Sequence, residues 1–183
     1  YSGRILCSEH MAKSVRKKIG KELRQQLILP RDKNTVIFVA ISGGKDSAVL
    51  LDSLVDRVGQ RPDVTIIAGT VDEGIEGYRP PSLVCAQELC ERLGIEFITV
   101  SYPELSFKEM DEVASKIPGL VKDNKEAPRM PCSYCGVFRR QGINHLAKRV
   151  NADYVALGHN LDDMAQTVLM NMTNGDVERT LRL

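Results

Sequence analysis

Short apolar segments alternate with helical segments along the whole chain, and this alternation constrains the fold more than any other feature of the sequence. Runs that are rich in β-branched residues and bounded by turn residues are typical of strands buried on both faces. Such strands are predicted at 35–41, 64–71, 95–100 and 152–158. Helical patterns lie around them at 11–27, 48–58, 82–93, 106–116, 135–149 and 161–172. The alternation predicts an α/β fold with a doubly wound parallel sheet, interrupted by a polar, proline-containing segment at 118–131.

The composition of the chain argues against several classes of protein. The 183 residues are enough for one domain with a sizeable core. The absence of Trp and an aromatic content of 5% argue against an aromatic platform on which bases would stack. No apolar stretch reaches the roughly 18 residues of a membrane span, and the first residues lack the apolar core of a signal peptide. Five cysteines, an odd number, without export signals indicate a reducing compartment, so we expect a cytoplasmic protein with no membrane partner.

One predicted helix is locally basic although the net charge of the chain is only +1. The helix at 11–27 carries the cations Lys13, Arg16, Lys17, Lys18, Lys21 and Arg24 against the single anion Glu22. Taken alone, such a run is more typical of a solvated helix face than of a binding surface. Beside a site that acts on RNA, the same charges are suited to contacting phosphates.

Three notable segments each follow a predicted strand, at 42–47 (SGGKDS), 71–75 (VDEGI) and 158–163 (GHNLDD). Ligands of open α/β sheets bind beyond the carboxyl ends of the strands, so we expect these segments to form one site. In the third segment, Asp162 and Asp163 either cap the helix that follows or face a nucleotide and its Mg²⁺.

The segment 42–47 has the chemistry of a phosphate-binding loop. Gly43 and Gly44 allow the backbone to approach a ligand closely, and the helix behind them offers unpaired N–H donors and a partial positive charge. Further donors come from the ammonium of Lys45 and the hydroxyls of Ser42 and Ser47. The spacing differs from GxxxxGK[ST]. The alternative is a glycine turn in which Ser or Asp merely caps the helix, but the complete hexapeptide after a buried strand favours phosphate binding.

Cys132 and Cys135 stand three residues apart where a helix is predicted to start. The helix dipole and the neighbouring arginines favour the thiolate form, which ligates metals and acts as a nucleophile. Two thiolates do not complete a zinc or iron–sulfur shell, so a third ligand has to come from elsewhere, and a redox dithiol is the alternative. Cys85 and Cys90 point in different directions on one predicted helix, and we interpret both as small buried hydrophobic residues.

Taken together, these motifs resemble a known family. SGGKDS resembles the PP-loop of N-type ATP pyrophosphatases, and its combination with PCSYCGVFRRQ (131–141), GHNLDD and TVLMN (167–171) resembles the tRNA 2-thiolation enzymes of that superfamily. The sequences CGVFRRQ (135–141) and TVLMNMTNGD (167–176) resemble those of the branch that acts on the wobble uridine in archaea and eukaryotes. The resemblance implies adenylation of the uridine C2 oxygen by ATP and its replacement by sulfur. Alternatives are a T-loop uridine or anticodon-loop cytidine thiolase, an amidating PP-loop ligase, and a non-catalytic tRNA-binding scaffold.

The resemblance also implies roles for individual residues. ATP would lie on the loop formed by Ala40, Ser42, Gly43, Gly44, Lys45, Asp46 and Ser47, with Asp46 near Mg²⁺. The adenine would meet the backbone of Val71, while Gly158 and Asp163 would close the nucleotide site. Cys132 and Cys135 would be two of three cysteine ligands of a [4Fe–4S] cluster, the third lying beyond this chain, or one of them would carry a persulfide. Arg139 would neutralise developing charge.

Cys7 and His10 match half of the N-terminal zinc module of this family, so Zn²⁺ is a further expected ion. We accordingly expect a remnant of a zinc module at 1–10, a basic linker helix at 11–30, and a PP-loop catalytic domain at 31–183 that is truncated at its C-terminus. The expected partners are tRNA and a sulfur donor, either a ubiquitin-like thiocarboxylate protein or sulfide. The assembly that we expect is a homodimer.

Overall fold

The computed structural model describes residues 5–176 and residue 178. Four strands are present in this part of the chain: β1 (Thr35–Ala40), β2 (Val64–Asp72), β3 (Glu96–Ser101) and β4 (Tyr154–Leu157). Its α-helices are α1 (Ser8–Gln26), α2 (Lys45–Val58), α3 (Arg79–Leu93), α4 (Met110–Asp123), α5 (Pro131–Arg149) and α6 (Leu161–Thr173), and a short 3₁₀ turn covers Pro103–Leu105. No helix in this part of the chain is long and apolar enough to cross a membrane.

The four strands form one parallel sheet in the order β3-β2-β1-β4, which confirms the predicted doubly wound architecture. The chain moves outward from β1 through β2 to β3 and then returns to place β4 on the other side of β1. The carboxyl ends of β1 and β4 therefore flank the point where the strand order reverses. Ligands of doubly wound sheets bind in the crevice at that point.

Alternation along the central strand supplies the cores on both faces of the sheet. In β1, Ile37 and Val39 face a core built with α2 and α3, and the partly buried Leu23 of α1 packs against it. Phe38 faces the opposite core, which contains residues of α4 and α5, among them Leu146. Because a strand points successive side chains to opposite faces, a run that is apolar at every position requires helices on both sides.

The segment predicted to be irregular at 118–131 is partly helical, and that prediction was wrong for its first residues. The helix α4 continues through Pro118 to Asp123. Its buried residues Met110, Val113 and Ile117 lie on one face, and Met110 and Val113 belong to the core that also contains residues of α5, while Pro118 is exposed. The packing of this apolar stripe outweighs the loss of one backbone hydrogen bond at the proline.

Four helices start three or four residues earlier than their patterns predicted, namely α1 at Ser8, α2 at Lys45, α3 at Arg79 and α5 at Pro131. The helix α5 begins at Pro131, so Cys132 and Cys135 both lie in its first two turns. Proline is favoured at this position because its missing N–H would have no partner there. The helix α1 begins at Ser8, directly after Cys7, and Arg16 joins it to α2 through a 2.8 Å ion pair with Asp52.

Candidate functional site

The three segments expected to form a site meet at the carboxyl edge of the sheet. Gly158, after β4, approaches the start of α2 so closely that an added Cβ would lie 2.9 Å from the backbone N of Ser47. Gly43 has a φ of +79°, and a Cβ there would lie 2.3 Å from the carbonyl oxygen of Ser82 in α3. The loop at 42–47 is thus held between the turn after β4 and the start of α3, and only glycine fits at the two contact points.

Hydroxyl groups inside the loop set its shape. The Ser47 hydroxyl is buried, accepts a 3.2 Å hydrogen bond from the Ser42 N–H and donates a 3.0 Å hydrogen bond to the Gly44 carbonyl. The Ser42 hydroxyl accepts a 3.3 Å bond from the Gly44 N–H. Ser47 is therefore a structural member of the loop, whereas the exposed Ser42 stands on its outer side.

The start of α2 has no capping side chain. Its N-cap residue is Gly44, and no side chain among the described residues accepts a hydrogen bond from the first turn. This excludes the alternative in which Ser or Asp of the loop serves as the cap. The first backbone N–H groups of a helix are donors that need a partner, and together with the helix dipole they favour an anion. The loop consequently has the electrostatics of a phosphate site.

Lys45 stands at the exposed mouth of this loop, with its ammonium 2.9 Å from the Asp46 carboxylate. A hydrogen bond to Asp46 and the negative charge of that residue raise the pKa of Lys45, outweighing burial, and Asp163 contributes in the same direction. One carboxylate, that of Asp46, therefore contacts the ammonium, and the charge of Asp163 acts on the same ammonium electrostatically. Since Mg²⁺ is usually held by one or two carboxylates together with substrate phosphates, Asp46 and Asp163 are suited to hold it.

Asp163 also caps α6. Its backbone N–H donates to the Asn160 side chain at 3.0 Å, and its own carboxylate accepts from the Asn160 N–H at 2.9 Å. This reciprocal capping box satisfies the helix start and fixes the carboxylate in place. The helix-capping interpretation of this acid is correct, and the fixed carboxylate remains available for a role beside Lys45.

A cavity of about 210 Å³ adjoins the loop on the side of α3. It is lined by Ile41, Gly43, Gly44, Lys45, Ser47, Ala48, Cys85, Ala86, Leu89 and Arg92. Cys85 is exposed, so its prediction as a buried hydrophobic residue was wrong. Cys90, five residues further along the same helix, is fully buried as predicted, and burial raises the pKa of its thiol to about 11. The difference arises because the two side chains point to different faces of α3.

Behind the loop lies a buried ion network that sequence reasoning missed. The side chains of Glu73 and Arg79 are only 4% and 5% exposed, and the Arg79 Nε faces a Glu73 carboxylate oxygen at 2.8 Å as a charge contact rather than an aligned hydrogen bond. The other carboxylate oxygen accepts a 2.8 Å hydrogen bond from the Nε of Arg139. The one signal in the sequence was Glu73, a charged residue directly after a buried strand, and this signal does not indicate which residue pairs with it.

Arg79 connects the ends of the surrounding elements. One terminal nitrogen donates to the Ser42 carbonyl at 3.4 Å and to the Ser82 hydroxyl at 3.1 Å. The other donates to the Val71 carbonyl and the Thr70 hydroxyl. The Val71 carbonyl, at the end of β2, is therefore already engaged within the protein.

The two paired cysteines differ in their surroundings. Cys132 is exposed, whereas Cys135 is half-buried beneath aromatic rings. The buried Tyr102 donates from its hydroxyl to the Cys135 carbonyl at 3.1 Å and packs edge-on against Phe138. Burial raises the pKa of the Tyr102 phenol. One side of Cys135 is thus closed by protein.

Arg139 extends the ion network to the sulfur of Cys135. Its terminal nitrogen lies 3.3 Å from the Cys135 Sγ, while its Nε is held by Glu73. Burial lowers the pKa of Arg139, but Glu73 and Cys135 raise it further, so the net shift is upward. A permanent cation consequently sits beside this sulfur.

The donor set fits an iron–sulfur group in part. Two thiols at the start of α5, one beside a fixed cation, suit two iron ligands. Within residues 5–176 and 178, no group of three or more His, Cys, Asp or Glu side chains gathers into a metal site. Cys7 and His10 face each other at the start of α1, with 3.0 Å between Sγ and Nδ1, which gives half of the ligands that a zinc ion needs.

Comparison with known proteins places this geometry in context. The family model for the PP-loop domain matches residues 11–182. The chain is 40% identical to the tRNA 2-thiolation protein NcsA of Haloferax volcanii, covering 100% of this chain and 56% of that protein. It is 35% identical to the cytoplasmic tRNA 2-thiolation protein 1 of Caenorhabditis briggsae, covering 99% and 46%. The chain therefore spans about half the length of these relatives.

Among solved structures, the U34-tRNA thiolase NcsA of Methanococcus maripaludis, determined with its [4Fe–4S] cluster, superimposes with a TM-score of 0.77. The identity is 36%, and the match covers 97% of this chain and 55% of the other.

The phosphate loop leads to a first prediction. Replacing Lys45 or Asp46 by Ala removes, respectively, the ammonium and the carboxylate at the mouth of the loop, and we expect ATP–pyrophosphate exchange to fall roughly 10²-fold or more in each variant. Both residues are exposed, so thermal unfolding should be unchanged. Lys122→Ala, an exposed lysine of α4, is the matched control. Wild-type exchange in either loop variant would contradict the phosphate assignment.

Proposed function

The chain belongs to the PP-loop domain family, and on that premise we propose that it carries the nucleotide-binding part of a tRNA 2-thiouridine synthetase that acts on the wobble uridine. The observation that carries this proposal is the connection of an uncapped, glycine-rich helix start to a cysteine pair through one buried ion network. An enzyme that only adenylates its substrate does not need the cysteine pair.

The residues of the loop would bind and orient ATP. The free N–H groups of α2 and the ammonium of Lys45 would hold the phosphates, so that the α-phosphorus faces the base. Mg²⁺, held by Asp46 and Asp163 together with the phosphates, would neutralise part of their charge. The close approach of Gly43 to α3 and of Gly158 to Ser47 would help to keep the loop in this shape.

The reaction has two steps. The C2 oxygen of uridine attacks the α-phosphorus, the bond to the β-phosphate oxygen breaks, and pyrophosphate leaves. A sulfur nucleophile then attacks C2, and the former carbonyl oxygen leaves with AMP. Adenylation is needed because it makes a poor leaving oxygen into part of a phosphate ester, and the cation of Arg139 is suited to stabilise the charge that develops.

The sulfur would be delivered at the start of α5. A [4Fe–4S] cluster, when bound, supplies an iron position at which sulfur is held, and Cys132 and Cys135 would be two of its ligands. The cluster in the Methanococcus maripaludis structure supports this route. The alternative route is a persulfide on one of the same two thiols, which requires a donor of sulfane sulfur in place of sulfide or a thiocarboxylate. Zn²⁺ at Cys7 and His10 remains part of the proposal for the whole protein.

We extend the proposal to domains, partners and location. Residues 31–183 would form the catalytic domain, preceded by the basic helix and a zinc module, and a homodimer would be the assembly. The sulfur donor would be a ubiquitin-like thiocarboxylate protein or sulfide. The word "cytoplasmic" in the names of several relatives supports a cytoplasmic location.

The function is tested in cells that lack this protein. Mass spectrometry of tRNA nucleosides should show loss of 2-thiouridine at the wobble position alone, because base selection precedes adenylation. The wild-type gene should restore the nucleoside and the Asp46→Ala gene should not. Loss at the T-loop uridine, or loss of 2-thiocytidine, would assign the protein to another branch. If purified protein released no pyrophosphate in response to tRNA, a scaffold or an amidating ligase would be indicated instead.

A second test addresses the cysteine pair. Anaerobically purified full-length protein should be brown and lose its colour in air, and Cys132→Ser or Cys135→Ser should remove both iron and colour because each deletes a ligand. Cys85→Ser, which alters an exposed thiol of α3, is the control that should keep both. Iron that survives both substitutions in the pair would refute the cluster. A colourless but active wild-type protein would favour the persulfide route.

The basic helix gives a third test. Lys17 and Lys18 are exposed on α1, whereas Arg16 is paired with Asp52 and is left unchanged. The double variant Lys17→Glu/Lys18→Glu should weaken tRNA binding and reduce the slope of log Kd against log salt by about 1 for each phosphate that the helix no longer neutralises. ATP binding should be unaffected. The control is Lys122→Glu/Lys125→Glu, in the last turn of α4 and just beyond it, and equal weakening in both double variants would argue against a specific role of α1.

A further inference from the structure

The carboxylate of Glu73 lies between the two halves of the site. Its side chain is 4% exposed and is shared between two guanidinium groups, with one oxygen 2.8 Å from Arg79 Nε and the other 2.8 Å from Arg139 Nε. A buried charge is costly unless it is paired, and a buried ion pair is seldom more stabilising than well-packed apolar residues. A contribution to the stability of the fold is therefore a weak explanation for this arrangement. The location of Glu73 between the two halves of the site is a better one.

The Arg79 end of the network is held independently of Glu73. Its two terminal nitrogens donate to Ser42, Ser82, Val71 and Thr70, so its hydrogen bonds to the nucleotide loop, the start of α3 and the end of β2 remain if the carboxylate is removed. The backbone of Glu73 is also fixed, since its carbonyl accepts a 2.8 Å hydrogen bond from the Met110 N–H. This end forms a rigid base.

The Arg139 end depends on Glu73. The side chain of Arg139 is 51% exposed, and its protein partners are the Glu73 carboxylate and the sulfur of Cys135. An arginine that is half in solvent has many rotamers, and removing its buried anion releases it to them. The guanidinium would then no longer be held against the sulfur.

We propose that Glu73 is a positioning residue for sulfur transfer, which through Arg139 holds the Cys135 sulfur at a fixed place relative to the nucleotide loop. This inference rests on the proposed function. It assigns to Glu73 no contact with ATP, base or sulfur donor. It predicts that removing its charge separates the two half-reactions, because adenylation uses the Arg79 side and sulfur transfer uses the Arg139 side.

The test uses Glu73→Gln in the full-length protein, with Glu76→Gln as the matched control at an exposed carboxylate three residues away. Pyrophosphate release that depends on tRNA and formation of 2-thiouridine are measured in the same reaction. The number of 2-thiouridines formed per pyrophosphate should fall roughly 10- to 100-fold in Glu73→Gln, the cost of a misplaced reacting group, with pyrophosphate release within about threefold of wild type. The Glu76→Gln ratio should equal that of wild type.

A second readout does not depend on turnover. Visible circular dichroism of the iron–sulfur group reports the conformation of its thiolate ligands, so Glu73→Gln should change that spectrum at unchanged iron content. Arg139→Met should lower the product ratio similarly, and the double variant should be no worse than either single variant, because both act through one interaction. This variant also keeps the inference testable if Glu73→Gln does not fold.

The outcomes are distinguishable. A wild-type protein that forms no 2-thiouridine would refute the proposed function itself. An active wild type together with an unchanged product ratio in Glu73→Gln would refute the positioning role alone. Equal loss of both half-reactions would show that Glu73 only stabilises the fold, and additive effects in the double variant would show that Glu73 and Arg139 act separately.

Discussion

The uncapped start of α2 is the constraint on which the rest of the site depends. A helix whose first N–H groups have no side-chain partner is stable only if those donors face water or an anion. Here the N-cap is a glycine, and the loop before it is closed on both sides by backbone, at Gly43 against α3 and at Gly158 against Ser47. Any side chain at either glycine would displace the loop. The same two glycines are therefore needed both for the packing of the domain and for the open anion site.

The topology of the sheet places the start of α2 at the crevice where ligands of doubly wound sheets bind. The strand order β3-β2-β1-β4 reverses beside β1, so the loop after β1 opens into the crevice between neighbouring connections. The same crevice receives the turn after β4 and the capping box that fixes Asp163. The order of the strands therefore brings the uncapped helix start, with Lys45 and Asp46, to the same edge as the turn that carries Asp163.

A buried ion network couples this crevice to the cysteine pair. Arg79 belongs to the nucleotide side, Arg139 to the cysteine side, and Glu73 joins them from the end of β2. The two arginines come from helices on opposite faces of the sheet, so the network passes around the carboxyl end of β2 rather than through either core. The Glu73 and Arg79 part of the network is shielded from solvent and from screening by salt, whereas the Arg139 side chain is 51% exposed.

The sequence alone determined the alternation of strands and helices, the parallel sheet, the phosphate loop, the paired cysteines and the family resemblance. Each of these features depends on a short segment, in which the periodicity and the residue types indicate local burial and local chemistry. The boundaries of α4 and the exposure of Cys85 were mispredicted, because they depend on which face of a helix meets the sheet.

Which charges are paired follows only from the way the helices pack against the sheet. Glu73 and Arg139 are 66 residues apart in the chain, and no local pattern relates them. The same holds for the bond of Tyr102 to Cys135, 33 residues away, and for the close approach of Gly158 to Ser47. Partners of this kind are selected by the geometry of packed elements, since an ion pair or hydrogen bond needs atoms about 3 Å apart and sequence patterns carry no information at that distance.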